Sequence, residues 1–578
     1  MRKLFKYFNT VKRDLILTPI LIIGEAFFEI LIPINMGKLI DLGVKTNNQD
    51  LIMKYGLNMI IFAGIALIFG ILATKTSANV STEFGHNLRE AQFKKIQEYS
   101  FDNIDNFKTS SLITRMTMDV NMIQMSANMI LRVVFRAPGL LIFSIVSIAL
   151  FAPSLTFVFI GIIPVLLIGL FFILKGAYKH FIKMFEKIDT LNLTIKESLI
   201  GIRTVKSFVR EDYEVDKFTD ATINVRENAI RAEKWAILNN PLMQFSIGLS
   251  FVLIGWFGSK LFVGGNLTEG EFANTITYIN QILFSLMMIS QVFLMLVISR
   301  ASVRRINEVL DEIPTLVENS NPIEIIKDGS FEFKDVSFKY KNSKDNYIFK
   351  NLNLKIDSGS FVGIFGATGT GKSTLVQLLS RLYDVSDGAI LVGGNDIRDY
   401  SLSSLRKEVI LVLQKNVLFS GTIRDNIKWG KKDASDDEII NALKKAQAYD
   451  FIMEHKSGLD SYVEQGGVNF SGGQRQRLTI ARALIANPKI LILDDSTSAV
   501  DTKTDAKLKE AINDENKDMT KVVVSQRLSS IENADVIIIL DDKGINSIGN
   551  HNSLYKENKT YKEIYDTQVK SKEVSEDE

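Results

Sequence analysis

Residues 361–374, Phe361-Val-Gly-Ile-Phe-Gly366-Ala-Thr-Gly-Thr-Gly371-Lys372-Ser373-Thr374, have the pattern of an apolar strand, a glycine-rich loop and the start of a helix. They match G-x-x-x-x-G-K-[ST], in which consecutive backbone N–H groups surround phosphate oxygens. A glycine-rich turn with a surface lysine is the alternative, but it does not explain why strand, loop and helix follow in this order. The predicted nucleoside-triphosphate site consists of Gly366, Thr368, Gly369, Thr370, Gly371, Lys372, Ser373 and Thr374.

The composition of the chain limits the classes of function. Its 578 residues are too many for one hydrophobic core, so two or more domains are expected. The 68 basic and 66 acidic residues give a formal charge of +2, which indicates no nucleic-acid partner. The absence of cysteine excludes disulfides, iron–sulfur ligation and thiol nucleophiles, and four scattered histidines argue against a zinc site.

Long apolar runs in the first half predict a helical membrane domain, residues 1–310. Most of these runs exceed the roughly 18 residues that distinguish a spanning helix from a buried core helix. The run 137–174 is too long for one crossing, and Ala152-Pro153-Ser154 offers a turn in its middle, so it is predicted to be two spans. The segments predicted to supply six spans are 15–35, 55–74, 137–174 (two spans), 235–259 and 272–299.

Charged stretches between the spans predict long helical extensions out of the membrane, at 75–136 and 175–234. Lysine and arginine are concentrated before the first span and after the sixth, whereas the turn 152–154 carries no charge. The positive-inside rule then places both termini in the cytoplasm, although Lys38, Lys45 and Lys54 dilute the signal. The basic, aromatic residues 1–8 lack the features of a signal peptide and are expected to lie at the membrane interface.

Two glutamates in the first span, Glu25 and Glu29, are four residues apart and therefore share one helix face. Inserting each into a bilayer costs about 2.5 to 3.5 kcal/mol, so they are expected to face a wet cavity or a cationic partner. They would either contact cationic substrates, or lie near the outer interface or pair with a basic residue of a partner subunit. In the sixth span, Phe284, Met287 and Met288 form either a pliable substrate wall or ordinary helix packing.

The second half has the pattern of an α/β domain. A polar linker at 311–328, with Pro314 and Pro322, precedes strands that alternate with helices over 329–568. The charged tail 569–578 is expected to be disordered. The predicted fold is thus a six-span α-helical membrane domain followed by an α/β P-loop domain with antiparallel and helical subdomains.

Two further motifs follow the phosphate loop. The stretch Asn469-Phe-Ser471-Gly472-Gly473-Gln474 opens a helix and presents N–H groups and a positive dipole end to an anion, although alone it could be only a helix cap. The buried strand Ile490-Leu-Ile-Leu-Asp494 ends in a carboxylate. In this order the motifs resemble the nucleotide-binding domain of ATP-binding cassette (ABC) transporters, from 331 to about 565.

The resemblance implies roles for individual residues. Tyr340 would stack on the adenine of ATP, and Ser373, Gln414 and Asp494 would hold Mg²⁺. Ser471, Gly472, Gly473 and Gln474 would close over the ATP of an opposing subunit, which implies a dimer, and Asp501 would belong to the D-loop. Segments near 106–115 and 207–213 would be the coupling helices at the tips of the extensions.

Two positions depart from the family pattern. Asp495 stands where the family has the glutamate that polarises the attacking water, and Gln526 stands where it has histidine. Shortening the acid by one methylene withdraws the carboxylate by about 1 Å, which can cost on the order of a hundredfold in rate. An active homodimer that tolerates both changes is the alternative to a site that holds ATP with little turnover.

The chain therefore resembles the degenerate-site half of a heterodimeric bacterial multidrug exporter. That resemblance implies ATP and Mg²⁺ as cofactors, and a second half-transporter chain, membrane lipid and a small amphipathic substrate as partners. It also implies a multi-pass protein of the cell membrane with its nucleotide-binding domain in the cytoplasm. The alternatives are an ABC protein whose ATP binding gates a channel or regulates a partner, and an active homodimeric lipid or peptide exporter.

Overall fold

The computed structural model describes residues 2–341, 343, 346–495, 508, 511, 518–542 and 544–576, without the side chains of Arg2, Phe159, Leu294, Val297 and 569–576. The chain divides into two compact units. The first consists of Met1–Glu98 and Lys108–Glu312, and the second of Tyr99–Phe107 and Ile313–Glu578. Residues 99–107, which lie at the tip of the first extension, are thus grouped with the second unit although the chain on either side belongs to the first.

The first unit is all helical. Its described part has six helical segments that are long and apolar enough to cross a membrane. A 3₁₀-helix over Arg2–Val11 precedes them, and π-helical turns occur at Leu39–Val44 and Arg115–Asp119. Its α-helices are α1 Lys12–Lys38, α2 Gln49–Gln97, α4 Thr109–Thr114, α5 Val120–Phe151, α6 Pro153–Ile200, α7 Ile202–Ser207, α8 Glu211–Ala236, α9 Asn239–Val263 and α10 Glu269–Asp311, while α3 Phe101–Asn106 belongs to the second unit.

The predicted turn is confirmed, and the helices are long enough for the predicted extensions. Helix α5 ends at Phe151 and α6 starts at Pro153, so the long apolar run is two helices. Helix α2 has 49 residues, and at 1.5 Å per residue it is about 70 Å long, more than twice the hydrocarbon thickness of a bilayer. The helical composition of the charged stretches therefore continues the spans well beyond the membrane.

A buried carboxylate, in the turn directly before α5, joins the start of α5 to α10. Asp119 is 2% exposed and accepts hydrogen bonds from Ser302 Oγ (2.8 Å) and from Arg305 Nε (2.7 Å). Arg115 donates to the carbonyl of Arg305 (2.8 Å) and pairs with Glu308 (3.0 Å). These bonds to charged groups fix α10 against the start of α5.

The second unit is built on three sheets. The largest has the strand order β12-β11-β3-β10-β9-β6, and a four-stranded sheet has the order β2-β1-β4-β5. The strands are β1 Phe331–Phe338, β2 Phe349–Ile356, β3 Phe361–Gly366, β4 Asp387–Val392, β5 Asn395–Asp396, β6 Val409–Val412, β7 Gly421–Thr422, β8 Tyr462–Val463, β9 Ile490–Asp494, β10 Thr520–Val524, β11 Val536–Asp541 and β12 Gly544–Gly549.

The largest sheet aligns the carboxyl ends of its central strands. β10 pairs in parallel with both neighbours, so that Val524 lies opposite Ile364 of β3 and opposite Asp494 of β9. These strands are apolar along their whole length because both faces of a parallel sheet are buried. The loops that leave β3, β9 and β10 therefore meet at one edge of the sheet.

Short helices cover the sheets, and Gly472–Leu484 belongs to a helical layer that packs in one apolar cluster with Ile423, Ile439 and Leu443. The antiparallel sheet and this helical layer confirm the predicted subdomains. The α-helices are α11 Lys372–Leu379, α12 Leu402–Glu408, α13 Ile423–Lys428, α14 Asp436–Lys445, α15 Tyr449–Met453, α16 Gly472–Leu484, α17 His551–Glu557 and α18 Lys559–Glu576.

The two ends of the second unit differ from expectation. The predicted linker 311–328 packs on this unit: Ile326 is 1% exposed, and Ile323 forms a parallel bridge with Tyr400. The charged tail predicted to be disordered, 569–578, is helical as far as Glu576 in this structure, and its disorder in solution stays a prediction. A tail rich in lysine and glutamate cannot form a core, but both residues are strong helix formers.

Arg381 anchors the linker to the sheet region. It is 1% exposed, bonds to Asp384 (2.9 Å) and donates to the carbonyl of Val317 (3.0 Å). Replacing it leaves the carbonyl of Val317 and the half-buried carboxylate of Asp384 without their cationic donor.

We predict that Arg381→Ala lowers the free energy of unfolding of the second unit by about 3 kcal/mol, because a buried ion pair is broken from one side. The matched control is Arg398→Ala, whose side chain is 43% exposed and pairs with Asp396, and which should cost less than about 1 kcal/mol. Thermal unfolding of the full chain in detergent measures both. Equal shifts in the unfolding midpoint would contradict this assignment.

Candidate functional site

The phosphate loop has the backbone geometry that its sequence predicts. Strand β3 ends at Gly366 and α11 begins at Lys372. Gly369 and Gly371 have φ values of +93° and +91°, which only glycine adopts without strain. At Gly366 a side chain would stand 2.5 Å from the carbonyl oxygen of Leu540. At Gly369 it would project into open space, which is where a bound group can approach the backbone.

Lys372 lies folded into this loop. Its Nζ donates to the carbonyls of Gly366 (2.8 Å) and Ala367 (2.7 Å). Burial lowers the pKa of Lys372, and the nearby carboxylates of Asp495 and Asp494 oppose that shift. A cation at the mouth of a loop of backbone N–H groups fits the phosphates of a nucleotide.

The candidate magnesium residues meet beside the loop. Ser373 Oγ donates to Asp494 Oδ1 (3.1 Å), and Gln414 Nε2 donates to Asp495 Oδ2 (3.2 Å). Burial raises the pKa of Asp494, and the neighbouring Asp495 raises it further. A hydroxyl, a carboxylate and an amide oxygen are hard ligands, and Mg²⁺ takes few protein ligands in addition to phosphate and water, so the set fits this ion.

The two positions that depart from the family pattern lie at the same sheet edge. Asp495 directly follows β9, has a φ of +46°, and its N–H donates to the carbonyl of Val524 (3.0 Å). Burial raises the pKa of Asp495, while the hydrogen bond from Gln414 lowers it. Gln526 follows β10 and has an exposed side chain, and its carbonyl accepts a bond from Gln568 (3.1 Å). The fold thus brings both residues to the end of the sheet where the phosphate loop begins.

Tyr340, the candidate adenine-stacking residue, lies against α11. Its hydroxyl shares a hydrogen bond of 2.9 Å with Thr374 Oγ1, and burial raises its pKa. Its ring meets the ring of Tyr383 edge-on, with centroids 5.3 Å apart. Sequence analysis missed Tyr383, which is 6% exposed and donates to Asp105 (2.7 Å). No local pattern marks it, because its partner lies 278 positions earlier in the chain.

The Ser-Gly-Gly motif has the geometry of a helix cap as well as that of an anion site. Ser471 Oγ accepts from the Gln474 N–H (3.3 Å), and the Gln474 side chain accepts from the Ser471 N–H (2.9 Å). This capping box leaves the N–H groups of Gly472 and Gly473 in the first turn of α16, where no intrahelical acceptor exists. The motif can therefore be a helix cap and an anion site at the same time. Asp501, the predicted D-loop residue, lies outside the described residues.

Glu25 and Glu29 line a cavity and pair with a cation, as the sequence predicts, but the cation is Arg136 of α5 in the same chain. Arg136 Nη1 bonds to Glu25, and Nη2 bonds to Glu29 at 2.9 Å. The sequence did not show this partner because it lies 107 or more positions away. Two half-buried carboxylates need a cation, and α5 supplies it. Contact of the two glutamates with a substrate stays a prediction.

The predicted substrate wall is only partly assembled. Phe284 and Met288 line a cavity of about 530 Å³ with residues of α5, whereas Met287 packs against the core cluster around Leu283 and Leu286. Glu25, Glu29 and Arg136 line a second cavity of about 690 Å³. Arg132 and Arg136 border both cavities.

Comparison with known proteins agrees with this arrangement of domains. Residues 15–287 match the model of the ABC transporter transmembrane region, and residues 349–498 match the ABC transporter model. The chain is 35% identical to the uncharacterized ABC transporter ATP-binding protein YfiB of Bacillus subtilis strain 168, over 95% of each chain. It is 33% identical to the ATP-dependent lipid A-core flippase of Desulfotalea psychrophila, covering 82% of this chain and 83% of the flippase.

A solved structure shares the whole fold. The structure of a bacterial Atm1-family ABC exporter with ATP bound superposes with a TM-score of 0.85 at 26% identity, covering 97% of this chain and 99% of that one. Six membrane-crossing helices followed by a nucleotide-binding unit with a P-loop are thus found in both. The chain belongs to the ABC transporter family and has the fold of an ABC exporter half-transporter.

Proposed function

We propose that this chain is one half of a heterodimeric exporter of amphipathic or hydrophobic compounds, and that its own nucleotide site holds ATP with little hydrolysis. The pair Asp495 and Gln526, in a site whose phosphate loop and signature are otherwise intact, carries the proposal. The signature at Ser471–Gln474 would complete the competent site of a second half-transporter chain.

The roles of the site residues follow from their positions. Backbone N–H groups of 366–371 and Lys372 bind and orient the phosphates, and Tyr340 stacks on adenine. Ser373, Gln414 and Asp494 hold Mg²⁺, which when bound neutralises negative charge on the phosphates. Asp495 holds a hydrogen bond from Gln414 and ends one methylene short of where a glutamate would place its carboxylate.

Gln526 weakens the same site in a different way. Its amide can donate a hydrogen bond to the outer phosphate, but it cannot carry a positive charge or relay a proton. Positioning of the attacking water and stabilisation of charge would both be reduced. In this proposal the nucleotide unit and both termini lie in the cytoplasm, and the spans lie in the cell membrane.

A second candidate is an active homodimeric lipid exporter. The similarity to a lipid A-core flippase over most of both chains favours it. Asp495 would then serve as the catalytic carboxylate, with Gln414 fixing its orientation. The two candidates differ in whether the chain alone cleaves ATP briskly.

Asp495→Glu should raise the ATPase rate of the purified chain roughly tenfold to a hundredfold, because the longer side chain returns the carboxylate to the water-polarising position. Asp437→Glu, an exposed aspartate on α14, is the matched control and should leave the rate unchanged. The ATPase rate is measured as phosphate release per chain, with the full-length protein in nanodiscs. Brisk wild-type turnover that is lost in Asp495→Asn would favour the homodimer instead.

Lys372→Met should weaken ATP binding at least tenfold, because the phosphate loop loses the cation that its carbonyls hold in place. Lys407→Met, an exposed lysine on α12, should bind ATP as the wild type does. Equilibrium binding of a fluorescent ATP analogue measures both variants. Unchanged affinity in Lys372→Met would refute the assignment of the phosphate site.

Transport distinguishes a pump from a gated channel or a regulator. Inside-out vesicles containing this chain and its partner should accumulate an amphipathic fluorophore against a gradient only when ATP is supplied. Equilibration without accumulation would instead support the channel.

A further inference from the structure

Helix α5 carries two arginines one turn apart that border both membrane-unit cavities, but their surroundings differ. Arg136 is bound on both sides of its guanidinium, by Glu25 and by Glu29. This arrangement uses its donors in two ion pairs and fixes the group in one place. Arg136 is therefore a structural cation that pairs with two carboxylates of the first span.

Arg132 has no such partner. Within the described residues, neither Arg132 nor Lys75, which lies on α2 and lines the same cavity as Glu25 and Glu29, takes part in a hydrogen bond or an ion pair. Three basic residues (Lys75, Arg132 and Arg136) and two acidic residues (Glu25 and Glu29) line the two cavities. The formal net charge of the two linings together is therefore +1. A half-buried guanidinium that lines a cavity and has no counter-ion among the described residues can donate hydrogen bonds to an anion in that cavity.

The depth of Arg132 in the membrane follows from helix geometry. Arg132 precedes Ala152, the turn that ends α5, by twenty residues of continuous helix. At 1.5 Å per residue this is about 30 Å, the thickness of the hydrocarbon layer. A membrane span that starts at the Ala152 turn would therefore reach the opposite head-group level near Arg132.

The walls beside Arg132 are mostly apolar. Besides Asn128 and the two arginines, one cavity is lined by Met125, Met129, Val133, Phe284 and Met288. Besides its charged residues, Gly70 and Thr74, the other is lined by Ile32, Ala63, Ala66, Leu67 and Ile71. A fixed cation between two apolar walls matches a molecule that has an anionic head and hydrocarbon tails, and methionine side chains adapt to tails of different shape.

We propose that Arg132, assisted by Lys75, binds the anionic head group of an amphipathic, lipid-like substrate, whose tails lie along the two apolar walls. The inference rests on the proposed exporter function and specifies its substrate class: an anionic amphipath rather than the cationic one that Glu25 and Glu29 suggested. A guanidinium presents two parallel N–H donors to a phosphate or carboxylate, and this geometry favours arginine at such a site.

The test measures binding without nucleotide, so that it does not depend on transport. The full-length protein is placed in nanodiscs of phosphatidylcholine and titrated with fluorescent phosphatidic acid, or with diacylglycerol that has the same chains. We expect phosphatidic acid to bind at least tenfold more tightly. Arg132→Gln should abolish this preference. Arg132→Lys should keep part of it, because lysine retains the positive charge but lacks the planar guanidinium with its two parallel N–H donors.

Arg226→Gln is the matched control, since Arg226 is an exposed arginine of α8 away from both cavities. It should keep the full preference for phosphatidic acid. ATP binding by each variant verifies that the protein is folded. Loss of the preference in Arg132→Gln but not in Arg226→Gln supports the site.

Three results would overturn the inference: equal binding of the two lipids by the wild type, a preference that survives Arg132→Gln, or tighter binding of the cation tetraphenylphosphonium. Inorganic phosphate binding as tightly as phosphatidic acid would also overturn it, because the apolar walls would then contribute nothing. Failure of ATP-dependent transport with an intact lipid preference would refute the exporter function and leave the binding site in place.

Discussion

The nucleotide site depends on the parallel register of three strands. Pairing β10 between β3 and β9 with Val524 opposite both Ile364 and Asp494 brings the phosphate loop, the candidate Mg²⁺ carboxylate and Gln526 to one edge of the sheet. A parallel register is fixed by evenly spaced ladder bonds and by burial on both faces, so these residues have little freedom to separate. The chemistry of the unit is therefore a consequence of strand order, with side chains that are distant in the sequence held within hydrogen-bond reach.

The constraint in the membrane unit is the energetic cost of placing charged side chains in an apolar helix bundle. Arg136 compensates two carboxylates of α1, and Asp119 compensates Arg305 of α10, so that charges tie α5 to both neighbours. Such pairs seldom add much stability compared with well-packed apolar side chains, but breaking one from a single side is expensive. The helices are thereby held in one arrangement around the cavities.

Local patterns in the sequence were sufficient for the elements and not for their long-range contacts. Apolar runs and the Ala152 turn predicted the six spans, and the glycine spacing predicted the phosphate loop. The pairing of Arg136 with Glu25 and Glu29, and of Tyr383 with Asp105, joins residues that are 107 to 278 positions apart, and no periodicity encodes such contacts. Composition indicates only whether a segment can form a core, so it did not predict that α18, Lys559–Glu576, extends into the charged tail.

The short segment 99–107 belongs to the nucleotide-binding unit although the chain reaches it from the membrane unit. Its Phe101 packs edge-on against Tyr383, and its Asp105 accepts the Tyr383 hydroxyl, directly behind the ring of Tyr340. A fragment that begins at Ile313 would expose the Tyr383 side chain to water and would lack Asp105, the acceptor of its hydroxyl. Nucleotide affinities determined on such a truncated piece would describe a protein in which Tyr340, the proposed adenine-stacking residue, is less firmly supported by Tyr383 than in the intact polypeptide.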